Sequence, residues 1–235
     1  MRRLSALPDP GMRVAVLGEQ LKELPSAVGA ELLEVICQEA EQGDPFSQQA
    51  CLHLLNLEAL EEALGLKKLW EIQRALVDGG CGKALRLLFQ EETRAVVPEG
   101  RRSEKGLGFR ISQARRPAQR LIEQLLFDPD PRVVKILLGN PRLTEAEVLK
   151  IVSSPRVSST VLEAVALDPR WRDRYLVKLA LVYNPLTPTR IALGFLPFLL
   201  IQDLTELAQE GRVSGLVRAE ARKLLHLRKA RRSDL

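Results

Sequence analysis

Apolar residues in the second half of the chain recur at the spacing of an α-helix. Between residues 133 and 180 they lie one, three and four positions apart, in four groups separated by short polar segments. This spacing places each group on one wide face of a helix, and the period-two alternation of a strand is missing. One helix alone does not bury so wide a face. The pattern therefore predicts an all-α fold in which short helices pack side by side.

Prolines interrupt these apolar groups at nearly constant intervals. Pro141, Pro155, Pro169 and Pro185 are 14, 14 and 16 residues apart. A proline has no N–H to donate and keeps the residue before it out of the α region, so each one predicts a helix boundary. One helix and one turn fill such an interval, and two intervals make a helical hairpin. The spacing therefore predicts an α-solenoid of short stacked helical hairpins.

The sequence after Pro141 carries the signature of a helix start. Thr144 is followed three residues later by Glu147, the spacing of a capping box, in which each side chain bonds the backbone N–H of the other residue. Leu143 and Val148 flank the box at the two positions of a hydrophobic staple. We therefore expect a helix to begin directly after Thr144.

Later units repeat this device in part. Ser158 and Thr187 occupy the cap position in two of them, and Pro188 follows where a first helical residue is expected. In the unit between these two, Arg172 stands at the cap position, so Asp173 is the predicted substitute. The pattern predicts one helix start per unit, each set by a short polar side chain.

The first half of the chain is also predicted to be helical, but it lacks the recurring Pro-Arg turns. One helix is expected over residues 26–43, and Asp44 is expected to cap the next one, with Pro45 at its first position. Two more helices are predicted over 66–77 and 83–92. These helices make up the predicted N-terminal helical region.

Three features of this half bear on chemistry, and none predicts a catalytic, metal or cofactor site. The segment Gly79-Gly80-Cys81-Gly82-Lys83 lacks the preceding strand, the spacing and the Ser or Thr of a phosphate-binding loop, so it is predicted to be a helix–helix turn. The chain has three cysteines and no Cys-x-x-Cys pair, and we expect buried or incidental thiols at Cys37, Cys51 and Cys81. Cys51-x-His53 has no second Cys/His pair to complete a metal site.

Charge is distributed unevenly along the 235 residues. Residues 1–100 contain 10 Lys and Arg against 16 Asp and Glu, a net charge of −6, whereas residues 101–235 contain 25 against 14, a net charge of +11. A Gly-, Arg- and Lys-rich segment lies between the two halves. We therefore predict an acidic helical region over 1–96, a basic flexible linker or loop over 97–111, and a basic helical-repeat region over 112–235.

No segment predicts insertion into a membrane. Arg2 and Arg3 are followed by Pro and Gly before any sustained apolar run, so no secretory signal is expected. The longest uncharged run, Ile191 to Gln202, is too short to span a bilayer and contains Gly194. We expect a cytoplasmic protein that does not bind a membrane.

Two segments carry a family resemblance. They read Leu126-Phe127-Asp128-Pro129-Asp130-Pro131-Arg132-Val133 and Asn140-Pro141-Arg142-Leu143-Thr144-Glu145. Their Pro-Arg-apolar turns and the helix period resemble HEAT-like and leucine-rich-variant α-solenoids, and residues from about 108 to 225 look like a group of bacterial helical-repeat proteins without an established activity. The resemblance covers about half the chain. It implies a right-handed HEAT-like solenoid and no particular reaction.

The predicted function is a non-enzymatic scaffold or adaptor that binds another protein, because stacked hairpins form an extended surface and no catalytic constellation is visible. No cofactor and no small-molecule substrate are expected. The alternative partner is a nucleic acid, bound by a basic ridge of the recurrent arginines Arg132, Arg142, Arg156 and Arg170. Such arginines also serve as turn residues that bond the last carbonyls of the preceding helix.

A third hypothesis is a DNA glycosylase, since some alkylpurine glycosylases are built from HEAT-like repeats. Those enzymes use a cluster of aromatic residues together with an acidic residue. Trp171 with Asp173 is the candidate pair in this chain. The competing interpretation is that Trp171 packs inside its own repeat.

Overall fold

The structure of this protein is a computed structural model that describes residues 10–89, 106–115, 119–128, 130–155 and 157–233. All regular secondary structure in these ranges is helical, and they contain no strand. The predicted all-α fold class is confirmed.

Helices account for most of the described chain, and we number the sixteen α-helices in chain order. They are α1 Pro10–Glu23, α2 Ser26–Glu41, α3 Pro45–Leu54, α4 Leu57–Leu64, α5 Leu66–Asp78, α6 Gly82–Phe89, α7 Leu107–Arg115, α8 Gln119–Leu126, α9 Pro131–Leu138, α10 Glu145–Val152, α11 Ser159–Leu167, α12 Pro169–Arg172, α13 Tyr175–Tyr183, α14 Thr189–Phe195, α15 Ile201–Leu207 and α16 Gly215–Ser233. A short 3-10 helix, Leu196–Phe198, follows α14.

Several helices begin as their cap residues predict. At α10 the Thr144 N–H donates to Glu147 Oε2 at 2.8 Å and the Glu147 N–H donates to Thr144 Oγ1 at 3.4 Å, so the capping box is formed. Ser158 caps α11 through the N–H of Val161. Asp44 caps α3, with Pro45 at its first position. In each case a side-chain oxygen satisfies a backbone donor that the first helical turn leaves unpaired.

Two predicted caps were wrong. Helix α14 begins at Thr189, and the buried Thr187 Oγ1 has no hydrogen-bond partner in the described part of the chain. Its own N–H instead donates to the Asn184 carbonyl within the preceding turn. Asp173 does not cap α13 either, because it is the C-cap of the single-turn helix α12, and Arg174 occupies the N-cap of α13 without a side-chain cap bond.

The predicted turn between α5 and α6 is confirmed. Gly79 ends α5, Gly82 begins α6, and Gly80 lies between them with φ +66°. A positive φ is accessible to glycine at little cost because it has no Cβ. The chain reverses direction here. The residues before the turn form helix α5, whereas a phosphate-binding loop follows a strand.

Contacts between Cα atoms divide the chain into two compact units. The first comprises Met1–Glu92, Thr189–Gln209 and Leu216–Leu235, and the second comprises Thr93–Pro188 and Glu210–Gly215. The second unit thus contains α7 to α13, and the first contains α1 to α6 together with α14, α15 and nearly all of α16.

This division differs from the predicted one, which assigned everything after residue 111 to one region. The difference arises because α14 packs in the first unit. The buried guanidinium of Arg190 donates to the Leu55 carbonyl at 2.7 Å, and a Cβ on Gly194 would lie only 2.8 Å from Leu55 Cδ2. Such close packing, at a sequence separation of more than a hundred residues, has no local signal in the sequence.

The predicted linker is only partly described. Residues 97–105 lie outside the described residues, whereas Leu107 to Ile111 belong to α7. The last part of the predicted linker is therefore helical. Arg110 on this helix forms an ion pair with Asp128, which gives a long basic side chain a structural role.

Helices of the second unit pack on helices two or three places further along the chain as well as on their immediate neighbours. Helix α7 contacts α9 and α9 contacts α11, while α8 contacts α10 and α10 contacts α13. Many residues of the predicted apolar groups are buried, among them Val133, Val134, Leu137, Val148, Ile151, Val152, Val161, Leu162 and Val177. These helices thus bury their apolar faces against one another.

Candidate binding surface at the Asx-Pro turns

Four turns of the second unit share one local structure. In each, an Asp or Asn precedes a proline and its side-chain oxygen accepts the backbone N–H two residues later, at 2.9–3.0 Å. Such Asx turns fix the chain direction because the side chain replaces a backbone acceptor. We call them the Asx-Pro turns, and their first residues are Asp130, Asn140, Asp168 and Asn184. The sequence prediction used the prolines and arginines of these turns and overlooked the Asp and Asn that hold them.

Side chains from later turns reach carbonyls at the ends of earlier helices. The indole N–H of Trp171 donates to the carbonyl of Leu138, the last residue of α9, at 3.0 Å. The amide of Asn184 donates to the carbonyls of Val152, the last residue of α10, at 2.6 Å and of Ser154 at 3.1 Å. The final carbonyls of a helix have no partner within it, so these bonds satisfy groups that would otherwise be buried unpaired.

Arg170 makes a bond of the same kind to another turn. Its Nη1 donates to the Asn140 carbonyl at 2.7 Å and its Nη2 donates to the Leu143 carbonyl at 2.8 Å. Its guanidinium carbon also lies 4.3 Å from the centroid of the Trp171 ring, which adds a cation–π contact. Arg170 therefore joins two Asx-Pro turns that are 28 residues apart in sequence.

Arg132 has a different environment. Its Nε and Nη2 donate to the two carboxylate oxygens of Asp130, at 3.0 and 2.8 Å. Hydrogen bonding from Arg132 holds the pKa of Asp130 below its ordinary value, and the same bond raises the pKa of Arg132. The positive charge of Arg132 is thus matched within its own turn.

The other two candidate arginines are not held in this way. Arg142 is exposed, and its side chain makes no hydrogen bond or ion pair with the residues that the structure describes. Arg156 lies outside the described residues. The candidate ridge therefore contains one arginine paired with a carboxylate, one that bonds turn carbonyls, and one that is exposed and available to a partner.

The candidate glycosylase pair does not offer a stacking surface. Trp171 is only 2% exposed, and its indole N–H is bonded to a backbone carbonyl. A flipped base needs an aromatic face that is open to solvent. Asp173 is exposed and pairs with Arg172 at 3.8 Å. The burial of Trp171 instead supports its role as a packing residue.

Two further charged groups of the second unit are perturbed by burial. Burial raises the pKa of the Asp168 carboxyl, although the N–H groups of Arg170 and Trp171 oppose the shift. Burial also lowers the pKa of Lys178, whose ammonium donates to the Asp173 carbonyl at 3.0 Å. Both shifts follow from the cost of holding a charge away from water.

A cavity of about 320 Å³ lies among the turns of the second unit. It is lined by Ser153, Pro155, Ala180, Tyr183, Asn184, Pro185, Glu210 and Arg212. The Asn184 amide, already bonded to Val152 and Ser154, fixes one side of it. The Arg212 N–H and Nε donate to Glu210 at 3.1 and 3.3 Å, and these bonds hold the pKa of Glu210 below its ordinary value. The lining thus combines an aromatic ring and two prolines with one fixed charged pair.

The first unit contains a smaller cavity, of about 50 Å³, lined in part by Cys37 and Cys51. The charged groups around it are paired, since Lys83 bonds Glu41 and Arg86 Nη2 lies 3.2 Å from Glu220 Oε1. Hydrogen bonding with Cys51, followed by burial, raises the pKa of Cys37 well above its ordinary value. The Cys37 thiol therefore stays protonated at neutral pH and is not an activated nucleophile. All three cysteines are buried, as predicted.

Other kinds of site are not evident in the described ranges. Among those residues, no three His, Cys, Asp or Glu side chains come together as ligands for a metal ion. None of the described helices is both long enough and apolar enough to cross a bilayer. Comparison with protein-family models, with curated proteins and with solved structures finds no match to this chain.

Proposed function

We propose that this chain is a non-enzymatic interaction module whose second unit binds an extended segment of a partner protein. The observation that carries the proposal is the cavity of about 320 Å³ among the turns of that unit. Its lining by Tyr183, Pro155 and Pro185 suits an extended segment with apolar or proline side chains, because aromatic and proline surfaces pack well against such segments.

The proposed architecture is a HEAT-like α-solenoid of short stacked hairpins. Support comes from the next-but-one packing of α7 to α11 and from side chains that bond carbonyls about one hairpin earlier, as Trp171 does with Leu138 and Asn184 with Val152. Repeated hairpins place equivalent turns side by side. A surface made of such turns is long enough to contact several residues of a partner.

The hydrogen bonds of the turns support a binding surface that is preorganised. Asn184 bonds two carbonyls and one N–H, so the wall that it forms has few alternative arrangements. Arg212 is exposed but is held beside Glu210, which places a guanidinium where a partner's carbonyl or carboxylate can accept from it. Ordering these groups in advance lowers the entropy cost of binding.

The alternative partner, a nucleic acid, has less support. A ridge that tracks phosphates needs several cations free to contact them. Arg132 is matched by Asp130, and Arg170 donates to the carbonyls of two turn residues. Of the three described candidates, Arg142 is the one whose side chain makes no hydrogen bond or ion pair with the described residues.

Selection of displayed peptides on the full-length protein tests the proposal. The competing target is an Ala180→Leu variant, in which a larger side chain occupies the cavity. We expect the wild-type chain to enrich peptides with proline or apolar residues, and we expect Ala180→Leu to weaken their binding at least tenfold. Ala146→Leu is the matched control, because Ala146 is exposed on α10 and does not line the cavity.

Two results would contradict the proposal. One is peptide binding that Ala180→Leu and Ala146→Leu affect equally, since the cavity would then have no part in it. The other is tight binding of nucleic acid at physiological salt that falls steeply as salt increases and is lost in Arg142→Ala while the fold is kept. Circular dichroism and denaturation of each variant establish that the fold is unchanged.

A further inference from the structure

An exposed apolar stripe runs along α5 in the first unit. Leu66, Trp70 and Val77 are 59%, 70% and 58% exposed. At 100° per residue these three side chains lie within about 40° of one another around the helix. The adjacent side of α5, about 110° around the helix from the stripe, carries Leu69, Ile72 and Leu76, which are buried. Helix α5 is therefore apolar on two sides, and the core of the unit covers one of them.

Trp70 is the most exposed large apolar side chain among those described. A tryptophan left in water costs the protein the burial of a large apolar area, whereas in an interface it is among the residues most often found to dominate binding. Single exposed apolar residues are ordinary on protein surfaces. Three in a line on one helix, centred on a tryptophan, point to a surface that another molecule covers.

The charged residues beside the stripe indicate which molecule covers it. Lys67, Glu71, Arg74 and Asp78 are all exposed and lie within about 60° of one another, on one flank of the stripe. Along the helix their signs alternate: positive, negative, positive, negative. Within the chain, Arg74 Nε lies 3.8 Å from Asp78 Oδ2, a weak contact between two exposed side chains.

When a second copy of α5 runs in the opposite direction, its order of charges is complementary to that of the first copy. Around a twofold axis between residues 72 and 73, an antiparallel second copy of α5 places Asp78 opposite Lys67 and Arg74 opposite Glu71. All four charges then meet an opposite charge, and the twofold axis generates each contact twice. A parallel twofold pair would instead place the charged flanks of the two copies on opposite sides of the contact, where these charges do not meet. The charge pattern therefore selects the antiparallel arrangement.

The apolar stripe fits the same arrangement. Leu66 and Val77 lie at opposite ends of the stripe, so an antiparallel copy brings each close to the other. The two Trp70 side chains are then about 7.5 Å apart along the helix axis, because five residue steps of about 1.5 Å separate them. At that separation the rings pack side by side across the axis.

We propose that this chain self-associates through α5 as an antiparallel twofold dimer, with Trp70 at its centre and Lys67–Asp78 and Glu71–Arg74 ion pairs between the copies. The inference does not depend on the proposed function, because the surface belongs to the first unit and the turn cavity to the second. Helix α5 is 13 residues, or about 20 Å, long. A contact of that length is at the small end of specific interfaces, so the dimer is weak and reversible.

Sedimentation velocity of the full-length protein over a range of concentrations tests the proposal. We expect the wild-type chain to change from monomer to dimer with a dissociation constant in the micromolar range. Trp70→Ala should weaken association at least tenfold and leave the denaturation midpoint nearly unchanged, because the side chain is exposed. Leu176→Ala, at an exposed apolar residue of the second unit, is the control and should leave association unchanged.

Charge reversal tests the antiparallel arrangement directly. Lys67→Glu places a glutamate opposite Asp78 of the second copy, and Asp78→Lys places a lysine opposite Lys67, so each variant alone should associate less than the wild type. A mixture of the two variants restores an opposite pair at every contact. We therefore expect the mixture to form a heterodimer, and we expect the double variant to dimerise again.

A wild-type chain that remains monomeric at several hundred micromolar would overturn the proposal. So would association that persists in Trp70→Ala. If the wild type dimerises and the single charge reversals weaken the dimer, but the mixture does not restore it, α5 is in the interface and the antiparallel pairing is wrong. That result also overturns the proposal as stated.

Discussion

The guanidinium of Arg132 donates to both carboxylate oxygens of Asp130, two residues before it, at 3.0 and 2.8 Å. In the equivalent turn that begins at Asp168, Arg170 points its guanidinium away, to the carbonyls of Asn140 and Leu143. The two Asp-Pro-Arg sequences are identical, yet their carboxylates have pKa values shifted in opposite directions. Tertiary packing therefore decides what a repeated motif does.

This contrast predicts opposite pH effects for two asparagine variants. Asn keeps a side-chain oxygen that accepts the turn N–H, so both substitutions keep the Asx-Pro turn and remove the ionisation. At position 130 the oxygen that accepts from Arg132 Nη2 is lost as well. The pKa of Asp130 is lowered in the fold, so its ionisation stabilises the protein above the unfolded pKa of about 3.9, and this stability is lost as pH falls through the folded pKa. Asp130→Asn should therefore lose stability relative to the wild type as pH rises from about 3 to 6.

Asp168→Asn should show the reverse. The pKa of Asp168 is raised in the fold, so the wild-type chain loses stability as pH rises through the unfolded pKa of about 3.9 and then the folded pKa. Relative to the wild type, Asp168→Asn should gain stability over that interval. Urea denaturation of the three proteins between pH 3 and pH 8 measures both differences. Slopes of the same sign would contradict the assigned environments.

Replacement of Trp171 by Phe should be strongly destabilising. The change keeps an aromatic ring but removes the N–H that satisfies the Leu138 carbonyl, and it leaves a small void in a fully buried site. An unsatisfied buried acceptor costs about 1–3 kcal/mol, and lost packing adds to it. Trp70→Phe is the control and should change the unfolding free energy by less than about 0.5 kcal/mol, since Trp70 is exposed. Equal effects of the two changes would contradict the structural role of Trp171.

Asn184→Asp tests the bond between turns with almost no change in shape. The substitution replaces the amide that donates to the Val152 and Ser154 carbonyls with an oxygen that accepts, so like partial charges face one another in a buried site. We expect a loss of about 2–3 kcal/mol at neutral pH. Asn140→Asp is the control for the cost of a buried carboxylate, because Asn140 is also buried and its side-chain oxygen accepts the Arg142 N–H, a bond that survives the substitution. Denaturant midpoints at pH 7 provide the comparison, and similar losses for both variants would contradict the assignment.

The two threonines at predicted caps should respond differently to mutation. Thr144 forms the capping box of α10, so Thr144→Ala should cost on the order of 1 kcal/mol. The buried Thr187 Oγ1 has no partner in the described ranges, so Thr187→Val, which replaces a hydroxyl with a methyl group, should be neutral or stabilising. Thermal and urea unfolding of both variants tests the pair. A decrease of about 1 kcal/mol in the unfolding free energy of Thr187→Val would contradict this assignment and support the predicted cap.

Part of this fold follows from local sequence. Thr144 with Glu147 predicts the start of α10, Asp44 with Pro45 predicts the start of α3, and Gly79-Gly80 predicts the turn after α5, because each depends on groups within a few residues of one another. The apolar spacing likewise predicts helices and excludes strands, since the period follows from the geometry of a single helix.

The division into units and the candidate surfaces depend on contacts between distant residues. Arg190 reaches the Leu55 carbonyl across 135 residues, so no local pattern reveals that α14 belongs to the first unit. The recurrent arginines look equivalent in sequence, but Arg132 bonds its neighbour and Arg170 bonds another turn, because burial and available acceptors differ between the sites. The sequence by itself determined that the chain is helical and where the prolines interrupt its helices. Tertiary structure alone decided which side chains the turns bury, which they pair and which they leave for a partner, because those outcomes depend on the distance between groups that are far apart in the chain.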